Sequence, residues 1–385
     1  MHAINNFNEL SFSFPEVHAD AVCRMNFHRT LRIPDDGKTY PLPPSLGHFP
    51  MTATEAGKNL SPQIQERRGV MIPMYTSEAL WISFRSNYHA PGRGTAYPFA
   101  VKIAAGKRSA VTANEWTEDL REKDYIVIPV QPWIDGFLVK DGVIKQFVTA
   151  IGGQGFTVEE QLTGKFEFGG IQIKVFPMKA DEYERRFPYK PFDPRRNVIR
   201  SRSGGIKGMS VNSMGPTGPS GDLEFIGEAS YSSTMDFMDS GTTKSLRSSG
   251  AGGQSVSSMG MAAGGSMKQE IHPDPYGIHV WDTRSHRCFV HLIDSMVWES
   301  VTGTKPPTVP PSAADYKKHN LPWFEYYSNA GALGGTENTD KVKSIEQLAG
   351  EKGYSPLPEN QSVDVTSTVP LHATPIQGLV NDGKW

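Results

Sequence analysis

Phe137-Leu138-Val139-Lys140-Asp141-Gly142-Val143-Ile144-Lys145-Gln146-Phe147-Val148 is the stretch whose reading decides the fold. Asp-Gly between two apolar runs supplies the positive φ angles of a type I′ turn, so the segment reads as a tight β-hairpin. With Lys140 opposite Val143, the side chains of Phe137, Val139, Ile144 and Val148 share one face. Burying that face is worth roughly 1.5–3 kcal/mol per large side chain. Upstream, Ile126, Ile128 and Val130 alternate with other residues, which is the two-residue period of a strand. Downstream, Gly170–Pro177 repeats the pattern, with Ile171, Ile173 and Val175 inward and Gln172 and Lys174 outward. The expectation is an antiparallel core, solvated on one side.

The same alternation extends outward from this centre. Val70–Met74, Leu80–Phe84 and Tyr97–Ala104 read as strands, giving roughly seven between residues 70 and 177, the spacing of a β-sandwich or barrel. Earlier patches at Phe12 and Phe14 and at Met25, Phe27, Leu31 and Ile33 are β-like as well. Ser61 as cap and Pro62 in the first turn predict a short helix through Arg68. After residue 268, Gly277–Asp282 and Arg287–Ile293 read as two further strands. Ser312 with Asp315 resembles a helix start, and Thr339 is the expected cap of a helix carrying Val342, Ile345 and Leu348 on one face, with Gly350 stopping it. Leu321-Pro322-Trp323-Phe324-Glu325-Tyr326-Tyr327 forms an aromatic cluster expected to pack on the sheet. The fold class is therefore mainly β, a β-sandwich or barrel-like arrangement of antiparallel sheets with a few short helices, mostly C-terminal.

Residues 201–267 differ in kind. They are dominated by Gly and Ser with scattered Met, a composition that buries too little apolar surface to offset chain entropy. They are expected to form a long flexible insertion, within which Leu223-Glu224-Phe225-Ile226 is a possible docking patch. Residues 1–200 and 268–335 are then one mainly-β domain or two sub-domains, and 336–385 a short helix and extended tail. A single domain is favoured, because two strands alone are marginal in water.

Across 385 residues, 39 Lys and Arg balance 41 Asp and Glu, a net charge of −2 that makes no electrostatic case for nucleic acid or an anionic membrane. Arg185, Arg186, Lys190, Arg195, Arg196, Arg200 and Arg202 interleave with Phe187, Tyr189 and Phe192. That pattern suits single-stranded nucleic acid, but a solvated exit segment is the favoured reading. Two cysteines, Cys23 and Cys288, build no disulfide framework and no zinc motif, which fits a reducing compartment. The N-terminal residues lack the basic and apolar regions of a signal peptide, and no 18-residue apolar run is present to span a membrane. Cytoplasmic location is the resulting expectation.

Candidate chemistry concentrates in two places. Between residues 270 and 299 lie Glu270, His272, Asp274, His279, Asp282, His286, Cys288, His291, Asp294 and Glu299, whose spacing matches no established metal-ligand pattern. His291 and Asp294, with Ser295 beside them, are candidate catalytic residues, as is Asp135, although triads usually draw on separate elements. The second place is Pro132-Trp133-Ile134-Asp135-Gly136, at the entrance of the central hairpin. A Trp beside an Asp at a strand end suits sugar stacking and hydroxyl recognition, which makes Trp133 and Asp135 candidate binding residues. Trp281 and Asp282 repeat the pairing. No phosphate loop or dinucleotide fingerprint occurs, so no cofactor is expected.

Pro41-Leu42-Pro43-Pro44-Ser45-Leu46-Gly47, Val70-Met71-Ile72-Pro73-Met74-Tyr75, Glu78-Ala79-Leu80-Trp81, Gln131-Pro132-Trp133-Ile134-Asp135-Gly136, Gly169-Gly170-Ile171-Gln172-Ile173 and Arg287-Cys288-Phe289-Val290-His291-Leu292 together resemble a family of uncharacterised bacterial and fungal proteins of similar size. The resemblance covers residues 40–330 apart from the Gly/Ser stretch and implies no activity or site. The leading functional expectation is a non-enzymatic protein that binds a carbohydrate, a protein partner or copies of itself. The alternative is a hydrolase or metal-dependent enzyme built on the 270–299 region.

Overall fold

The computed structural model describes residues 2–4, 8–86, 95–189, 256–312, 321–327, 331–354 and short pieces between 315 and 372. The 201–255 part of the Gly/Ser stretch, the Leu223–Ile226 patch and the arginines from Arg195 to Arg202 lie outside the described residues.

In chain order the strands are β1 (His2–Ile4), β2 (Glu9–Ser13), β3 (Val22–Thr30), β4 (Thr39–Tyr40), β5 (Thr52–Ala53), β6 (Val70–Met74), β7 (Ala79–Ser86), β8 (Phe99–Ala105), β9 (Arg108–Ser109), β10 (Ile126–Ile128), β11 (Trp133–Ile134), β12 (Gly136–Lys140), β13 (Val143–Ala150), β14 (Ile171–Pro177), β15 (Gly260–Lys268), β16 (His286–Asp294), β17 (Trp323–Tyr327) and β18 (Thr368–His372). The helices are α1 (Pro62–Arg67), α2 (Val158–Thr163), α3 (Ala180–Arg186), α4 (Ser295–Thr302) and α5 (Ile345–Glu351). Among the described residues three of these five precede residue 190, so the helices are spread along the chain.

The larger sheet runs β1-β2-β3-β7-β13-β15-β4, with β11 beside β7 and β12 beside β13. The smaller runs β10-β8-β14-β16-β6-β5, with β9 beside β8. One contiguous apolar core takes Phe12, Met25, Leu80 and Ile82 from the first sheet and Ile72, Phe99, Val101 and Ile103 from the second, so the two stack as a sandwich. Most pairs are antiparallel, but β15 with β4, β16 with β6 and β17 with β18 run parallel.

Local chemistry explains several elements directly. Ser61 accepts from the Ile64 amide and Pro62 occupies the first turn of α1. The last helix is capped by Ser344 in a reciprocal box with Gln347, while Thr339 begins a separate 3-10 turn, Thr339–Lys341. Gly277–Asp282 is also no strand: a 3-10 turn spans Ile278–Val280, and Asp282 reaches the 177 carbonyl through its amide. Alternation of Ile278, Val280 and Asp282 was too short a run to tell the two apart.

The central hairpin forms where expected, with Lys140 opposite Val143. Of the two turn residues only Gly142 has a positive φ, 66°, so the turn is not type I′. A register shift falls between Leu138 and Lys140 instead, which sets Leu138 opposite Ile144 in place of Val139. Phe137 then meets Phe147 edge-on at 4.9 Å.

Two expectations about exposure are corrected. The smaller sheet is covered on both faces: every residue of β8 is buried, and Lys102 within it gives its ammonium to Asp124 at 2.7 Å and to the Thr117 and Asp119 carbonyls. Gln172, expected outward, is buried and accepts from the Lys107 amide. The loop 107–124 therefore acts as a lid of polar partners over the sheet.

The second correction concerns Gly260–Lys268, which composition had placed in flexible chain. It is an inner strand of the larger sheet, paired with β13 over most of its length. Its glycines are packing residues: a methyl on Gly265 would overlap the Pro34 carbonyl, and one on Gly264 would press on Val148. The neighbouring Gln146 side chain, fully buried, clasps the 31–33 backbone beside this strand by accepting from the Ile33 amide and donating to the Leu31 carbonyl. Strands on both sides of residues 190–255 thus share the two sheets.

The chain crosses between the layers at the turn from β6 to β7. Glu78, whose side chain has no solvent exposure, accepts from the Tyr75 amide at 2.8 Å and pairs with Arg29 of β3 at 2.6 Å. Arg29 also donates to the Thr308 carbonyl, and Tyr75 donates to that of Pro307.

Candidate ligand-binding cleft

Trp133-Ile134-Asp135-Gly136 is a corner. Trp133 and Ile134 pair with Ser83 and Ile82 of β7, whereas Gly136 onward pairs with β13. The backbone passes so close to β13 that a methyl on Gly136 would overlap the Lys145 carbonyl. The corner is pinned on its other side by Gln269, just beyond β15. Its amide donates to the Asp135 carboxylate at 2.6 Å and its carbonyl accepts from the Asp135 amide at 3.0 Å. Gln131 repeats the device one turn earlier, donating to the Trp133 and Glu270 carbonyls and accepting from the His272 amide.

Beside this corner lies a cleft of about 170 Å³ lined by Leu42, Pro132, Trp133, Lys268, Glu270 and Tyr326, with the two glutamines and Gly142 completing it. Trp133 and Tyr326 meet edge to face, ring centres 4.8 Å apart and planes at 74°. Tyr326 is brought there by β17, which the Leu42–Phe324 bridge fastens to the body. Glu270 Oε2 is out of contact with water and has no hydrogen-bond partner among the described residues. Lys268, exposed at the rim, faces Glu325 at 3.3 Å.

Asp135 sits beneath the cleft, only 4% exposed. Burial pushes its carboxyl from an ordinary 3.8 up to about 7, against the pull of hydrogen bonds from Gln269 and Trp133. A folded-state value above the unfolded one makes the folded chain the stronger proton binder. The resulting penalty is absent below the unfolded value near pH 4, grows as pH rises, and is complete above about pH 7. Asp135→Asn should therefore raise unfolding free energy by roughly 2–4 kcal/mol at pH 8 and leave it almost unchanged at pH 4. Urea unfolding of both proteins at the two pH values checks this; equal shifts at both would sink it.

The structure brings Trp133 and Asp135 to one corner but buries both, so Trp133, 7% exposed, is a wall of the cleft and no open stacking platform. Trp281, 4% exposed, donates to Asp274 at 2.9 Å, and Tyr125 donates to the same oxygen at 2.6 Å. Asp282 is held by Arg284 through both carboxylate oxygens, which keeps it below the usual carboxylate range. Neither of these two joins the cleft.

His291 lies in β16, fully buried, stacked on Phe289 with its Nε2 3.0 Å from the Arg68 carbonyl. Burial pushes it down to about 4, so at neutral pH Nε2–H donates to that carbonyl. Asp294 instead caps α4, accepting from the Met296 amide. No hydrogen bond joins His291 to Asp294, Ser295 or Asp135 among the described residues, and no group of three or more His, Cys, Asp or Glu is placed there to hold a metal ion.

A polar cluster that sequence reading missed lies on the outer face of the larger sheet. His28 stands between Ser83 Oγ, 2.7 Å from Nε2, and Ser45 Oγ, 3.0 Å from Nδ1, and stacks on Trp81 at 3.7 Å. Its signal was the polar half of β3, where Arg24, Asn26, His28 and Thr30 alternate with Cys23, Met25, Phe27 and Arg29. Burial holds the ring near pKa 2, well below its ordinary range.

No protein-family model matches the chain, and no curated protein or solved structure matches it. Among the described residues no helix is long and apolar enough to cross a membrane.

Proposed function

We propose that this chain is a non-enzymatic binding protein whose ligand enters the Trp133–Glu270–Tyr326 cleft. The observation that carries the reading is a cleft with two aromatic walls, Trp133 and Tyr326, and the carboxylate residue Glu270 in its lining. The surrounding amides are locked by internal partners, so the cleft is preorganised and loses little freedom on binding. At about 170 Å³ it is smaller than the roughly 300–1,000 Å³ typical of drug-sized ligands, which points to a compact head group.

The hydrolase alternative, placed on His291, Asp294 or Asp135, finds no histidine–serine contact there among the described residues, whereas His28 contacts Ser83 and Ser45. A ring held near pKa 2 is a poor base, and Nδ1 faces a serine where a triad places a carboxylate. These features favour a structural polar cluster there.

Saturation-transfer NMR with a fragment set containing small amines, sugars and neutral alcohols tests the cleft. Some fragment signals should vanish in Tyr326→Ala, a variant that removes one wall. If every signal survives the substitution, the cleft is not the site.

A further inference from the structure

Resting on the cleft reading, we infer that the ligand head group is a small organic ammonium ion. The lining leaves little else to recognise. Gln131 and Gln269, which would otherwise grip hydroxyls, spend both ends of their amides on Trp133, Glu270, His272 and Asp135. What remains is the Glu270 carboxylate, the rings of Trp133 and Tyr326 with the Tyr326 hydroxyl, and apolar contact from Leu42 and Pro132, with Lys268 at the rim.

Those remaining groups suit one chemistry. Ring faces attract a cation through their quadrupole, most strongly when water is excluded and the cation lies within about 6 Å of the ring centre. Trp133 and Tyr326, set at 74°, are adjoining aromatic walls of the cleft. Burial and the nearby Glu270 carboxylate both push the Tyr326 hydroxyl above its ordinary range. A sugar would need donors and acceptors that the two glutamines no longer offer, and an anion would meet Glu270. Lys268 at the rim is engaged by Glu325 and does not neutralise Glu270 by any ion pair among the described residues.

The test uses the full chain and a matched probe pair in calorimetric or NMR titration: choline and its uncharged carbon isostere 3,3-dimethylbutan-1-ol. Choline should bind about tenfold tighter than the alcohol, Glu270→Gln should reduce that preference severalfold, and Tyr326→Phe should keep it. Equal binding of both probes, or a preference left unchanged by Glu270→Gln, overturns the ammonium assignment while leaving the cleft as a binding site. Failure of both probes overturns it as well; if fragment signals still depend on Tyr326, the cleft stands, and if none do, the cleft reading falls with it.

Discussion

Gly136→Ala is expected to destabilise the fold by about 4–5 kcal/mol, near the top of the range for a single substitution. The added methyl meets the Lys145 backbone carbonyl, which cannot move without breaking β13 from its neighbours. Flexible side chains relieve overpacking elsewhere, but here the obstacle is main chain in the middle of a sheet. Because Trp133 and Asp135 flank the corner, the same change should also abolish fragment binding and flatten the Asp135-linked pH dependence. Gly331→Ala is the control, since a methyl there meets nothing within 4 Å. Urea unfolding with both variants decides it: if the two shift stability alike, the corner is not tightly closed.

Glu78→Ala carries the second large effect, about 3–5 kcal/mol, because it leaves the Arg29 guanidinium buried without its counter-ion. The loss should exceed that of Arg29→Met/Glu78→Leu, which removes both charges together and is expected to recover much of the stability. The pair sits where the chain passes between layers, so Glu78→Ala should also loosen the 307–308 segment that Arg29 and Tyr75 hold. Hydrogen exchange and urea unfolding measure the two consequences. A double variant no more stable than Glu78→Ala would show that packing around the pair, and not the stranded charge, dominates.

Local signals carried the parts of the fold that depend on nearest neighbours. Ser61 and Pro62 encode the start of α1 within four residues, and period-2 alternation placed β6, β8, β14 and β16 to within a residue or two. What sequence could not show was partnership across distance. The bulge beside Val139 depends on how β12 meets β13, and the strand at Gly260–Lys268 looks like linker until Pro34 and Val148 occupy the space its glycines leave. At the site, Trp133 and Asp135 were visible as a pair at a strand end. Gln131, Gln269, Glu270 and Tyr326, drawn from three separated segments, became a site only through the sheet order. The histidines between 270 and 299, neighbours in sequence, are set on different elements: His272 lies between elements, His279 in the 3-10 turn, and His286 and His291 in β16.

The positions of β15 and β16 set a timetable for synthesis. Each is an interior strand, one between β13 and β4 and the other between β14 and β6. On the ribosome, the larger sheet stays open until residue 268 has emerged and the smaller until residue 294. Until then β13, β14 and β6 each present an open, apolar ladder to other nascent chains, which is the hazard of unpaired edges during slow assembly of long-range β contacts.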